Sequence, residues 1–390
     1  MSGPGWGGGP YPRFSGAEHR RRFGLVRDMM RTEGVEALVV HGTSAMGSAV
    51  HYLSHYIPAR PAWLVFPLEG PSTLFLHFYN HIACTRTLSL VEDVRCSHPN
   101  PGKAVAENLK ERGLGSARIG VIGLGNSIPH SQFETLKAEA PDAEFADLAG
   151  PYNRIRIIRG EEELAWLRES GRLSDLTCEA LEREIRPGLS EYDLSAAIHS
   201  AFLPESGHMG IHFVSTTPME NPERPVPWQF LTPRKLEKGD AVITEITITY
   251  WGYATQIHRP FAVAAEPTPV YRELFDVALE CYEAVREITR PGATSEEIVE
   301  VSSRMTEDKG YPILDSLFHG EGGRNPELGT RGSNHAFEPF TLAENMVVVI
   351  QPNPMTPDGK AGLQLGAAVV VKPGGGESLH RYPFHFPVCG

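Results

Sequence analysis

Two stretches of this chain repeat one another, and the repeat restricts the fold more than any other feature. "EREIRPGLSEYDLSAAI" (182–198) and "VREITRPGATSEEIVEV" (285–301) each run from a helix end through Arg-Pro-Gly into a Ser-x-x-Glu-type helix start, with one more residue between them in the second. Proline cannot extend the first helix, and a hydroxyl followed three residues later by an acid caps the next one. A supersecondary unit that occurs twice buries its apolar face against its twin. The expectation is two α-β-β units facing one another, with strands at 211–215 and 241–264 in the first, and at 311–318, 346–351 and 363–371 in the second. A site between such halves would take side chains from both.

The segment before the repeat has a different texture. "SGAEHRRRFGLVRDMMRTEGVEAL" has helical spacing, with Ser15 as N-cap and Gly34 at its end. "EALVVHG", "AWLVFPLEG", "STLFLHF" and "RIGVIGLG" read as buried strands and "KAVAENLKERGL" as a helix. Residues 14–153 therefore read as a small α/β domain, 154–390 as a second domain, and the Gly/Pro-rich 1–13 as a flexible tail. "GLGNS" follows a strand but lacks the full GxGxxG spacing of a nucleotide loop, so a plain turn is the better reading.

A formal net charge of -12 with no basic block argues against nucleic acid or an anionic membrane as partner. No apolar run approaches the roughly 20 residues of a membrane span. The five scattered cysteines form no CxxC pair and read as reduced thiols of a cytoplasmic protein.

"TEITITYWGYATQIHRPF" (244–261) has the layout of half a metal site: Glu245 and Gln256 on adjacent strands joined by the turn Trp251-Gly252-Tyr253. An amide stands where a second carboxylate is expected. With "IRGEEELAWLR", "RPGLSE", "RKLEKGDAV", "FHGEGG", "ENMVVVIQPNP" and "AGLQLGAAVVV", this segment resembles the creatinase, prolidase and aminopeptidase P family over nearly the whole chain. The resemblance implies an α/β (α+β) fold: a pita-bread C-terminal domain with an internal α-β-β duplication, after a smaller creatinase-type domain. It also implies two divalent metals on Asp, Asp, His, Glu and Glu. Those positions fall here at Glu245, Gln256, His319, Gln351 and Gly366. Divalent ions in bridged pairs need carboxylates, so the expectation is no metal and no other cofactor.

The residues expected around the old site are Glu245, His319 and His258 as catalytic groups. Gln256, Gln351, Trp228, Tyr253 and His212 are expected to bind substrate, with Gln364 as a further lining candidate. Glu245 beside His319 would orient the imidazole, and the two glutamines would hold a carbonyl or carboxylate. Each has a plainer reading: His258 as a satisfied core histidine, Trp228 as packing or a flat wall, the glutamines as fillers of the vacated metal volume. Arg259 reads as a structural ion pair on the opposite face. The resemblance further implies a homodimer whose N-terminal domain closes the neighbouring site, with Tyr56 and Arg60 as candidates to reach across. The segment "GRNPELGTRGSNHAFEP" (323–339) reads as a lid or a surface excursion, and His335 within it as a displaced family histidine.

The functional expectation from sequence is a metal-independent hydrolase or lyase acting on a small polar metabolite with a carboxylate or carbonyl group. Two alternatives stand beside it: a non-catalytic binding module, and a residual metal-dependent Xaa-Pro peptidase.

Overall fold

The computed structural model describes residues 4–5, 9–43, 48–314, 316–320, 324–333 and 337–390. The chain divides into two compact units that meet in sequence at Ile157 and Ile158. The boundary falls later than 153 because the helix Ala149–Arg156 belongs whole to the first unit. Among the described residues no helix is long and apolar enough to cross a membrane.

The N-terminal unit is built on a mixed six-stranded sheet. Its order is Asp93–Cys96, Thr73–Leu76, Ala62–Pro67, Ala37–Gly42, Arg118–Ile122 and Glu144–Asp147. The helix Gly16–Glu33 begins as expected, with the Ser15 side chain accepting from the Glu18 N–H, and ends on Gly34 at φ 67°. The unit does not begin at residue 14, because the Pro12 carbonyl pairs with His55 Nε2 at 3.0 Å. Tyr56 is buried in its own unit, which corrects its expected role of reaching across to a neighbour; Arg60 is exposed.

In the C-terminal unit the repeat is explicit at the level of hydrogen bonds. Ser190 forms a capping box with Asp193, and Thr294 one with Glu297. The Gly188 N–H donates to Leu236 O at 2.8 Å, and the Gly292 N–H to Leu342 O at 2.9 Å. Leu236 and Leu342 return N–H bonds to Leu189 O and Ala293 O. Each half thus ties its helix turn to the chain leading into its main strand. Both glycines sit at φ 90°, where a side chain would be strained.

The two halves share one sheet. Its main path runs Arg324–Leu328, Phe318–Gly320, Val347–Ile350, Gly366–Lys372, Tyr253–His258, Asp240–Tyr250, Pro260–Val263 and Val388–Cys389. Gly375–Ser378 and Gly207–Pro218 pair onto Gly366–Lys372 and Asp240–Tyr250. The long helices Glu161–Glu184 and Pro269–Ile288 carry apolar stripes that face this sheet. The halves meet where Gly366 pairs with His258 and Ala367 with Ile257. The expected strand at 311–318 begins only at Phe318, and the insertion after it includes an edge strand antiparallel to Phe318–Gly320. His335 lies outside the described residues.

Arg259 stands at this seam, fully buried. Among the described residues it forms no ion pair: its guanidinium donates to the carbonyls of His258, Gly366, Tyr382 and Pro383 at 2.7–2.9 Å. Phe384 packs 3.9 Å from it. A planar five-donor fork can serve several carbonyls at once, which an ammonium cannot do.

Candidate functional site

The hairpin that carries the site is set by its turn. Tyr250 pairs with Tyr253, so the turn residues are Trp251 at φ 47° and Gly252 at φ 88°, as a tight two-residue hairpin requires. From there the register runs to Thr247 opposite Gln256 and Ile246 opposite Ile257. One step further sets Glu245 opposite His258, and His258 is itself opposite Gly366. Glu245, His258 and Gly366 thus form one row across the strands, with Gln256 on the same face.

Around that row the side chains interlock. Gln256 donates from Nε2 to Glu245 Oε1 at 2.9 Å, and Gln364 donates from Nε2 to Glu245 Oε2 at 3.2 Å. His319 Nε2 lies 2.9 Å from Gln256 Oε1 and 3.2 Å from Gln351 Oε1, while its Nδ1 donates to Gly320 O at 2.8 Å. Gln351 in turn donates from Nε2 to Ser316 O at 2.9 Å. Only an amide NH2 can donate to a carboxylate or a carbonyl, so Glu245 and Ser316 fix the sense of both amides. Both ring nitrogens of His319 consequently face oxygen acceptors. Glu245 keeps partial exposure, and the other members of the cluster are buried.

The structure therefore brings together Glu245, Gln256, His258, His319, Gln351 and Gln364. It does not bring in Tyr253 or His212, which corrects their placement on the pocket wall. Tyr253 is three residues from Gln256, and an odd step along a strand turns the side chain to the other face. There its hydroxyl donates to Glu163 Oε1 at 3.1 Å and its ring meets Trp166. His212 pairs in register with Ile246, on that same far face, and its Nε2 lies 2.9 Å from Ser195 Oγ on the helix Glu191–Phe202.

Trp228 is 48% exposed, so it is not core packing. Its backbone N–H donates to Ser215 Oγ at 2.6 Å, and the Arg224 guanidinium lies 3.9 Å from its ring centroid. Its loop is pinned by the buried Glu191, which accepts from Thr216, Arg224 and Thr232. Sequence reasoning gave Glu191 no role, because its partners lie 25–41 residues away.

His258 is fully buried, and among the described residues neither ring nitrogen has a hydrogen-bond partner. Burial holds its pKa well below the usual histidine range, and the neighbouring His319 and Arg259 push in the same direction. The ring owes its room to Gly366. A Cβ there would lie 3.1 Å from His258 Nδ1, 2.8 Å from Gln351 Cα and 2.2 Å from Ile350 O. Gly366→Ala is expected to cost about 1–3 kcal/mol, since a backbone carbonyl cannot step aside as a side-chain tip can. Thermal unfolding checks this, and an unchanged midpoint would mean the strand has slack at that point.

These donors do not fit the two-ion centre that the resemblance implies. One carboxylate, one imidazole and two amides stand at four of its positions, and the fifth has no side chain. Among the described residues no group of three or more His, Cys, Asp or Glu could hold a metal ion.

Comparison with known proteins gives a consistent affiliation. Residues 165–373 match the metallopeptidase family M24, and residues 22–158 the creatinase/prolidase N-terminal domain. The Xaa-Pro dipeptidase of Pyrococcus furiosus is 23% identical over 262 residues, spanning 67% of this chain and 73% of that one. The Xaa-Pro dipeptidase of Lactobacillus delbrueckii subsp. lactis is 26% identical over 269 residues, spanning 68% and 71%. In fold, the X-Pro aminopeptidase of Thermotoga maritima superposes with a TM-score of 0.81 at 19% identity, covering 94% of this chain and 99% of that one. The prolidase of Pyrococcus horikoshii gives 0.78 at 19%, covering 93% and 99%. These findings overturn the expectation of a metal-independent hydrolase or lyase of a small metabolite. The relatives are Xaa-Pro dipeptidases, and the peptidase alternative fits them better.

Proposed function

The chain belongs to metallopeptidase family M24, and from that premise we propose that it is a hydrolase whose pocket takes short peptides of the Xaa-Pro class. The observation that carries the reading is the interlocked cluster of Glu245, Gln256, His319, Gln351 and Gln364 at the seam of the duplicated halves. Four of its members, Glu245, Gln256, His319 and Gln351, are at positions the resemblance assigns to the family's site, in a chain whose relatives include proteins named Xaa-Pro dipeptidase. In this reading Glu245 supplies the pocket's negative charge and the amides of Gln256 and Gln364 orient it. Gln351 and Gly320 O hold the His319 ring in place. Trp228 offers a flat apolar face beside Arg224, of a kind suited to a proline ring.

The donor chemistry favours a second reading beside it, a pocket that binds such peptides without turning them over. The family's expected homodimer and a cytoplasmic setting belong to the proposal as well, with the exposed Arg60 as the N-terminal unit's candidate contact to a bound anion.

One experiment separates the readings. L-alanyl-L-proline is incubated with the protein, with and without added Mn2+, while free proline is followed and binding is measured by calorimetry. Proline release supports the hydrolase. Binding without release supports the binding module, and neither binding nor release sinks both.

A further inference from the structure

Glu191 is fully buried, yet its carboxylate serves a loop at the surface. Its Oε1 accepts from the Thr216 N–H at 3.1 Å, the Thr216 hydroxyl at 2.9 Å and Arg224 Nη1 at 3.0 Å. Its Oε2 accepts from the Thr232 N–H at 2.6 Å and the Thr232 hydroxyl at 2.8 Å. One side chain thus joins the end of the strand Gly207–Pro218 to two points on the loop that follows. The described stretch 219–239 forms no helix and no strand of the sheet. Connections of that length without secondary structure are uncommon, and functional loops are prominent among them. This one carries Trp228. Phe213 pairs with Glu245, and Ser215, two residues on, shares its face. The bond from the Trp228 backbone N–H to Ser215 Oγ therefore hangs the loop on the Glu245 side of the sheet, while Thr216 reaches Glu191 on the other.

The duplication shows what the fold itself requires at this place. Gly188 and Gly292 make matching ties to Leu236 and Leu342, and three residues after each glycine stand Glu191 and Ser295. Ser295 is also buried, and its hydroxyl accepts from the Phe340 N–H at 3.2 Å on the approach to the strand Val347–Ile350. A hydroxyl is enough to hold that approach. A carboxylate costs far more to bury than a hydroxyl. Its presence in the half that bears Trp228 asks for a reason beyond the fold.

We propose that Glu191 is a positioning residue for ligand binding: through Arg224 it holds the Trp228 ring in place as one wall of the peptide pocket. The Arg224 guanidinium bridges the two, 3.0 Å from Glu191 Oε1 and 3.9 Å from the Trp228 ring centroid. Ordering an arginine side chain costs conformational entropy that a cation–π contact at the surface barely offsets. The bond to Glu191 supplies the rest, and the carboxylate balances the charge. With Arg224 against one face of the indole, the other is left for a flat or cyclic group of the ligand. A wall set in advance binds more tightly than one that must be ordered on binding. The inference deepens the peptide reading and rests on it, because it assigns Trp228 to the ring of a bound Xaa-Pro peptide.

The test titrates L-alanyl-L-proline and L-alanylglycine by calorimetry into the full chain, with EDTA present to stop metal-dependent turnover. Emission from Trp228 is taken as the difference between each protein and its Trp228→Phe form, and is quenched with acrylamide. Glu191→Gln turns an NH2 toward donors, and Arg224→Met removes the bridge alone. In both variants the Trp228 emission is expected to be quenched more steeply. Alanylproline should bind about fivefold more weakly, and alanylglycine, which has no ring, about as before. An equal loss for both dipeptides would mark a merely structural role and overturn the proposal. Quenching or alanylproline binding that stays unchanged in both variants overturns it too, and in each of these cases the peptide reading stands. If alanylproline does not bind the unaltered protein, both fall. Should Glu191→Gln not fold, Arg224→Met decides, since that side chain is partly exposed and its loss leaves the threonine bonds in place.

Discussion

Replacing Arg259 with methionine is expected to destabilise the C-terminal unit by about 4 kcal/mol or more, and to abolish peptide binding with it. Methionine fills similar volume but donates nothing, so four carbonyls lose a donor at once, three of them on buried residues. A buried acceptor left unmet costs on the order of 1–3 kcal/mol, and neighbouring losses do not add fully. For a unit of this size the unfolding midpoint should fall by roughly 10 °C. Arg259→Lys is expected to recover little, since one ammonium cannot span carbonyls from residues 258, 366, 382 and 383. Thermal unfolding followed by calorimetry measures the effect. A midpoint within a degree or two of the unaltered protein would show that solvent meets those carbonyls when the guanidinium is gone.

The N-terminal unit is expected to fail first on acidification. His19, His51 and His55 are all buried, and the ring of His55 lies 5.5 Å from that of His19 and 5.4 Å from that of His51, centroid to centroid. Burial is the leading cause that lowers each of them, His19 to about 3 and His55 to about 4 from 6.5, with His51 also well below. The histidines themselves, Arg13, Arg22 and Arg156 add repulsion. Among the described residues Glu18, on the same helix as His19, is already engaged by Arg21 and Arg22. The folded pKa values lie below the unfolded ones, so the contribution is complete above about pH 6.5 and is lost as pH falls toward 4 and 3. By pH 4 each of His19 and His55 should remove about 3 kcal/mol. Two such losses approach the whole stability of an ordinary domain. Hydrogen exchange at pH 7.5 and 4.5 locates the change. The strands Ala37–Gly42 and Ala62–Pro67 should lose protection, and His19→Phe should restore part of it. Undiminished protection at pH 4.5 in those strands would mean the imidazoles gain protons without opening the unit.

Much of the fold was legible because it is written in local signals. The Arg-Pro-Gly turns and hydroxyl caps at Ser190 and Thr294 place two helix starts and announce the duplication without any distant contact. The neighbourhood of Glu245, Gln256, His319 and Gln351 was legible through the resemblance. It was misread where parity decides: counting Tyr253 into the turn hides that it opens the strand, three residues before Gln256 and so on the opposite face. His212 suffers the same fate, since its face depends on pairing with Ile246. Arg259 was not legible at all in its true role. Its carbonyl partners give no side-chain signal, and three of them lie more than a hundred residues downstream. The crossing of His258 and Gly366 left a faint trace, a glycine at a ligand position, but only the register shows that the two are neighbours.

The duplicated halves have a last consequence. Glu245 follows the Leu236 tie by nine residues, and Gln351 follows the matching Leu342 tie by the same nine, so the two occupy equivalent places in the repeat. One copy carries an acid there and the other its neutral isostere. A scaffold that looks the same from both sides has thereby become handed in its charge. A guest whose two ends differ in sign would not be turned end for end in it at equal energy, so the pair of copies would distinguish head from tail.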